Sequence, residues 1–470
     1  MFEMFKKKTL CIYLVIVFFG ILTIWHQLNY ENFWLDEMNS FWIADPKLSF
    51  EESLIRQKKT DFHNPLLFNL TLKEFLNFTV YEPTNSRILP FIFGSISICF
   101  FGILSYQIKK DSSFLFTTFL ASVSIYIIKY SQEVRPYSLL LMLSIINIFL
   151  FCIISNNVIK EKFYNFIILL IFIILSVLNY STNPFALIIL FSQITNLLYV
   201  SFYLNRKNNL LFFSLIPIII FYFLLNSDYL VNQLSYSSYM LSPDIMNVID
   251  GLYFPRFFGS KIMGYIYLIT LLFLIFYKKK IILQNNNYLL LVIIFLFSYF
   301  IPLTYGLIRT PVLHDRYIIF VLIPVILLIS CLANEITSNK IKNSIFFILI
   351  VSTLCNHYLE IVNRKNTKPE FVNLIKHIKD SSSEKNIIIY DKFPTSNLVF
   401  NYLNNLEPSI LKNLNLIQYK DNLPKDVSSF WLLCYTPNKE FNCNISETKI
   451  WKPQIVNKKY LVEAKLFKLN

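Results

Sequence analysis

The residues best suited to chemistry in this sequence are an adjacent acidic pair, Asp36 and Glu37, set in the stretch YENFWLDEMNSFWIAD between Trp34 and Trp42. Carboxylates can act as general bases, and one held close to hydrocarbon becomes more basic because a low-dielectric surrounding disfavours its charged form. The flanking tryptophans suit the depth of a membrane interface. Alone, such a pair reads as ordinary loop charge, so its meaning depends on what shares its side. Four other short stretches carry polar chemistry: His63-Asn64-Pro65-Leu66; Asn85-Ser86-Arg87 with Pro90; Ser131-Gln132-Glu133-Val134-Arg135-Pro136-Tyr137; and His314-Asp315-Arg316-Tyr317 with Pro324 beyond it. Arginine at a membrane edge is costly unless it pairs, snorkels or binds an anion, and its planar fork suits phosphate oxygens. Any one of Arg87, Arg135 and Arg316 is explained by snorkelling or by a local acid such as Glu133. Three on one side call for a joint explanation.

The elements that must position these residues are membrane helices. The chain has 470 residues, of which 55% are hydrophobic and only 15% charged, against roughly 25% charged in soluble domains. Apolar runs long enough to cross about 30 Å of hydrocarbon recur, and eleven spans are expected, at 9–28, 86–107, 114–130, 136–155, 163–180, 184–204, 210–226, 261–277, 287–305, 316–333 and 342–358. The first is too long for a signal-peptide core and lacks a small-x-small cleavage site. With the N-terminus cytoplasmic, alternate turns carry Lys6-Lys7-Lys8, Lys109-Lys110, Lys160 with Lys162, Arg206-Lys207, Lys278-Lys279-Lys280, and Lys340 with Lys342. This positive-inside pattern puts the acidic pair, His63, the three arginines and His314 together on the extracytoplasmic face. The net charge of +14 is therefore topological, since it is scattered in short clusters and forms no patch for nucleic acid.

Two regions outside the spans carry structure. In the loop 29–84, Leu66, Leu67, Leu70, Phe75 and Phe78 interleave with Asn69, Lys73, Glu74 and Asn77, which predicts an amphipathic interfacial helix over 65–78. Beyond residue 358 charge rises, and short strands such as NIIIY (386–390) and FWLLC (430–434) alternate with helix-like stretches at 369–380 and 395–405. The expected organisation is an all-α transmembrane domain over 1–358 and a small extracytoplasmic α/β domain over 359–470, ending in a hairpin. Cys11, Cys99, Cys152, Cys331 and Cys355 lie in or beside apolar runs and read as small hydrophobes. Cys434 and Cys443 fall where a disulfide is chemically permitted. The triplets at Asn69, Asn77, Asn179 and Asn444 would be glycosylation acceptors only in a eukaryotic secretory pathway.

Taken in order, the acidic pair after the first span, H-x-P-L, R-x-L-P, E-x-R-P-Y, and R-Y before a late span resemble the GT-C class of polytopic glycosyltransferases. The resemblance is closest to the branch of protein O-mannosyltransferases and the aminoarabinose transferase that modifies lipid A. It covers residues 34 to 324. It implies a sugar donor on a polyprenyl phosphate, an inverting transfer to a hydroxyl of a lipid, protein or envelope glycan, and a bacterial inner membrane with the site facing outward. Asp36 matches the family's catalytic acid and Glu37 its acidic neighbour. Arg135, Arg316 and Arg87 are then donor-phosphate candidates, and His63, Glu133, Tyr137 and His314 are acceptor-binding or positioning residues. Whether a divalent cation takes part is left open, because one histidine and two carboxylates make a sparse ligand set. The sequence departs from the family at Asn64, where a second proline is usual, and at Asn179-Tyr180-Ser181, where many relatives carry a histidine.

The rival class is a transporter or flippase. The spans are nearly free of Asp, Glu, Lys and Arg at mid-depth, where ion-coupled carriers place them, and show no matching broken helices in two halves.

Overall fold

The computed structural model describes residues 7–61, 65–156, 162–203, 211, 214–224, 252–309, 311–362, 364, 367–380, 386–390, 394–406, 408–412, 414–418, 429–435, 451–459 and 462–469. Contacts divide the chain into two compact units. One comprises Met1–Leu28, Phe62–Thr71 and Arg87–Arg364; the other comprises Asn29–Asp61, Leu72–Ser86 and Lys365–Asn470.

The first unit is a bundle of apolar helices, as a multi-pass integral membrane protein requires. Among the described residues, seven helices are long and apolar enough to cross a bilayer: Lys8–Trp25, Pro83–Ile108, Tyr137–Ser155, Pro184–Tyr203, Asn286–Ile308, Asp315–Ala333 and Asn339–Ile361. An eighth, expected as one span over 114–130, is broken into Ser113–Ser122 and Ile125–Ser131 with a bend of 54°. The remaining expected spans coincide with shorter apolar helices, Phe166–Thr182, Ser214–Leu224 and Lys261–Tyr277, so the count of eleven full spans is not reproduced. Glycines let these helices approach closely. A methyl group on Gly94 would lie 1.9 Å from Ser131 Oγ, and one on Gly102 would lie 2.3 Å from Thr118 Oγ1. Helix Ile88–Ile108 thereby packs directly on both halves of the broken span.

Three helices of the bundle are joined by neutral polar groups. Asn147 Nδ2 donates to Ser176 Oγ at 2.6 Å, Gln193 Nε2 donates to Asn147 Oδ1 at 2.6 Å, and Ser144 Oγ donates to Asn179 Oδ1 at 3.2 Å. These fully buried groups join helices Tyr137–Ser155, Lys162–Thr182 and Leu187–Tyr203. At the end of the bundle reached by Ile108, Lys109 pairs with Asp111 at 2.9 Å and Glu335 at 2.8 Å, and Asn334 Nδ2 donates to Asp111 at 2.6 Å. Burial alone would lower the lysine pKa, but the hydrogen-bonded carboxylates outweigh it and hold Lys109 above its ordinary value. Asp111 is held below its ordinary value: its burial is outweighed by hydrogen bonds from Ser113 and Lys109.

Counting the first helix of the chain, Lys7–Trp25, as α1, the second unit contains the helices α2 (Leu35–Ile43) and α3 (Phe50–Thr60), and a five-stranded sheet of β1 (Asn386–Tyr390), β2 (Leu414–Gln418), β3 (Ser429–Tyr435), β4 (Trp451–Lys459) and β5 (Val462–Leu469) in the order β2-β1-β3-β5-β4. Strands β1, β2 and β3 are parallel, while β4 and β5 add antiparallel, β5 beside β3. The central strand β3 buries Phe430, Trp431, Leu432, Leu433 and Cys434. A strand covered on both faces has no need of alternation, so its sequence is a continuous apolar run. Helix Phe371–Asp380 packs on the sheet with Phe371, Leu374, Ile375 and Ile378, one face at helical spacing. Cys434 is disulfide-bonded; Cys443 lies outside the described residues.

Helix α4 (Leu67–Phe78) occupies the predicted amphipathic segment, and the boundary between the units falls within it. Its buried stripe is Phe68, Leu72 and Leu76, together with Asn69 and Lys73. The sequence pattern puts Lys73 on the polar face. It is buried instead because its ammonium donates to the carbonyls of Leu48 and Ser49 and to Ser53 Oγ, which satisfies all three protons.

Candidate active site

In the bundle, the site residues are built around the break at Val123. Ser124 caps the second half-helix by accepting from Ile127 N–H at 3.5 Å, and that half ends at Ser131. The turn Gln132–Pro136 follows, and Pro136 caps helix Tyr137–Ser155. Gln132 fixes the turn: its Nε2 donates to the carbonyls of Ile24 at 2.7 Å and His26 at 2.8 Å, and its Oε1 accepts from Arg364 Nη1 at 2.7 Å. Glu133 and Arg135 are consequently buried, at 3% and 4% exposure, and Tyr137 is fully enclosed.

A second segment meets this turn. His314 stands at the N-cap position of the 3-10 helix Asp315–Val321. The guanidinium of Arg316 sits over the rings of Tyr137 (5.8 Å) and Tyr317 (5.5 Å). An aromatic group continues through Tyr130, 5.0 Å from Tyr137, and Tyr126, 4.6 Å from Tyr130. Asp315 is buried, touches His314 Nδ1, and lies 3.5 Å from Arg256 Nη1. His314 Nδ1 also lies 3.4 Å from Arg316 N–H. One nitrogen cannot accept from the amide and donate to the carboxylate together; the closer approach to Asp315 favours donation.

Arg256 is a residue the sequence reading passed over. It lies in YFPRFF, where Leu252 and Tyr253 adopt left-handed φ angles of 50° and 62°. Each such non-glycine conformation costs on the order of 1 kcal/mol or more. The strained pair is tied down by Tyr253 Oη donating to the Leu313 carbonyl (3.1 Å) and Tyr299 Oη donating to that of Leu252 (2.8 Å). Burial, reinforced by the charge of Asp315, raises the Tyr253 pKa. The signal in the sequence was the proline-arginine step inside an aromatic run. Arg87 stands apart from this cluster in one respect: it precedes helix Ile88–Ile108 at the N-cap position and its Nη1 donates to the Leu28 carbonyl at 3.2 Å.

The acidic pair belongs to the second unit. Asp36 and Glu37 occupy the first turn of α2, where unsatisfied amides and the helix dipole favour negative charge. Successive helical side chains point about 100° apart, and the two acids separate accordingly. Glu37 is fully buried and ion-paired with Lys368 at 2.7 Å, whereas Asp36 is half-buried. Around them Phe41 stacks on Tyr81 at 4.1 Å, and Arg56 lies 4.4 Å over Trp42 while donating to its carbonyl at 2.7 Å. His63 and Asn64 lie outside the described residues. Among the described residues no three His, Cys, Asp or Glu side chains converge as a metal-binding group, and Glu37 is committed to a cation of the chain itself.

The structure thus joins Glu133, Arg135, Tyr137, His314 and Arg316 in one unit and Asp36 with Glu37 in the other. Comparison with solved structures adds the fold. ArnT from Cupriavidus metallidurans in the apo state matches with a TM-score of 0.61 over 97% of both chains at 7% identity. The fold is ArnT-like. The same enzyme bound to undecaprenyl phosphate matches with a TM-score of 0.56, again over 97% of both chains, at 9% identity. An oligosaccharyltransferase from Archaeoglobus fulgidus matches with a TM-score of 0.49 at 10% identity, over 80% of this chain; the chain spans 60% of its length. The GT-C resemblance read from the motifs is therefore matched in architecture. No protein-family model and no curated protein matches the sequence.

Proposed function

We propose that the protein is a membrane glycosyltransferase that moves a sugar from a polyprenyl-phosphate donor to a hydroxyl acceptor on the extracytoplasmic face, with inversion. The observation that carries this reading is the likeness to ArnT along nearly the whole chain, ArnT having been solved bound to undecaprenyl phosphate. In the proposed reaction the acceptor oxygen attacks the anomeric carbon, the bond from that carbon to the phosphate oxygen breaks, and polyprenyl phosphate departs with the electron pair. Asp36 takes the acceptor proton. It is the acid of the pair that the chain leaves half-buried, while Glu37 is held by Lys368.

Arg135 and Arg316 stabilise the departing phosphate, with Arg87 a third candidate. Stacking occupies the faces of a guanidinium and phosphate binding uses its edges, so the contacts of Arg316 with Tyr137 and Tyr317 orient it without competing for the ligand. Tyr137 stacks on Arg316, His314 holds the neighbouring Asp315, Glu133 lies in the turn carrying Arg135, and His63 and Glu133 position the acceptor. The neutral hydrogen bonds inside the bundle supply no titrating relay of the kind an ion-coupled carrier uses.

The test incubates purified protein with undecaprenyl-phosphate-linked sugars and native envelope extract, following release of undecaprenyl phosphate and the anomeric configuration of the product. Release with inversion supports the reading. No release from any donor, or a retained configuration, contradicts it.

A further inference from the structure

Glu31 and Glu37 bracket the turn that leads into α2 and carries Asp36, and both are buried, at 7% and 0% exposure. Two consecutive residues far along the chain meet them. Lys368 Nζ lies 2.7 Å from Glu37 Oε2, across a separation of 331 residues. Thr367 donates twice to Glu31 Oε1, from its backbone N–H at 2.5 Å and its hydroxyl at 2.9 Å. A carboxylate withdrawn from water is tolerated only with a matched partner. These acids are therefore anchors, and the residues that hold them are the first described ones of the C-terminal part of this unit.

We infer that Lys368 is a positioning residue: by drawing Glu37 inward it fixes the rotation of the first turn of α2 and so the direction in which Asp36 is presented. The inference rests on the assignment of Asp36 as the base, and deepens it. It makes the catalytic turn dependent on the segment that opens the C-terminal part of the chain, with Thr367 steadying the approach through Glu31. Lys368 itself touches neither donor nor acceptor in this account.

The experiment uses the full-length protein in nanodiscs, with Lys368→Met, the neutral pair Glu37→Gln/Lys368→Met, Lys368→Arg and Asp36→Asn. Hydrogen exchange over residues 35–40 reports the turn directly, and transfer from an undecaprenyl-phosphate-linked sugar reports its use. Lys368→Met strands a buried carboxylate, so exchange accelerates by at least about tenfold, and loss of folding is a risk. The neutral pair removes that stranded charge and recovers the wild-type melting temperature. It nevertheless keeps fast exchange at the turn and a kcat reduced at least about tenfold, while donor KM stays near wild type. Lys368→Arg restores much of both. A neutral pair with wild-type exchange and kcat would overturn the inference, leaving a folding staple only. Asp36→Asn separates the two claims: if it is inactive while the neutral pair is fully active, the positioning role fails and the base assignment stands; if it is active, the base assignment itself fails.

Discussion

Replacing Arg316 by lysine keeps the charge and removes the shape. In the wild type one guanidinium lies over two rings, 5.8 Å from the Tyr137 centroid and 5.5 Å from that of Tyr317. Each contact contributes roughly 0.5 to 2 kcal/mol, the larger value where water is excluded. A tetrahedral ammonium cannot cover both rings and also present a planar fork to phosphate. Losing one ring contact and one of two charge-assisted hydrogen bonds together costs about 1.5 to 3 kcal/mol, a fall of roughly 10- to 150-fold in affinity. The assay is equilibrium binding of radiolabelled undecaprenyl phosphate to purified protein in nanodiscs, with the melting temperature as a control for folding. Binding within about twofold of wild type, under 0.5 kcal/mol, would show that the stacked arginine is an interfacial anchor and that the phosphate lies elsewhere.

Two further predictions concern the scaffold. Asn147 accepts one interhelical hydrogen bond and donates another; at about 0.6 to 1.7 kcal/mol each in membranes, Asn147→Ala should cost about 1 to 3 kcal/mol in detergent unfolding, and a neutral result would remove the seam as a packing determinant. Asp111→Asn should lower the melting temperature at neutral pH. The folded pKa of Asp111 is depressed below 3.8, so its contribution is present above the unfolded value and fades as pH falls through the folded one. The deficit of the variant should then shrink toward zero in acid, and a constant deficit would contradict the ion-pair account.

Hydropathy made the bundle legible because burial in lipid requires unbroken apolar length, and the helices fall where those runs lie. It could not foresee the break at Val123, which involves no glycine or proline and arises where Ser124 caps a new helix. Strands NIIIY and FWLLC, and helices Phe371–Asp380 and Pro394–Leu406, were readable from pattern. The mixed strand order was not, since register across loops leaves no local trace. The candidate site was readable through its arginines and acids, because charge at an apolar boundary stands out. Lys368, Arg256 and the burial of Lys73 were not. Each is a lysine or arginine whose partner lies far away in sequence, as Glu37 does from Lys368, or on another helix, as Ser53 does from Lys73.

The proton acceptor is the centre of the account. Single-turnover transfer from an undecaprenyl-phosphate-linked sugar should fall by about 10²- to 10⁴-fold in Asp36→Asn, the usual contribution of a general base, while binding of undecaprenyl phosphate and the melting temperature stay at wild-type values. Transfer by Asp36→Asn at the wild-type rate would contradict the account.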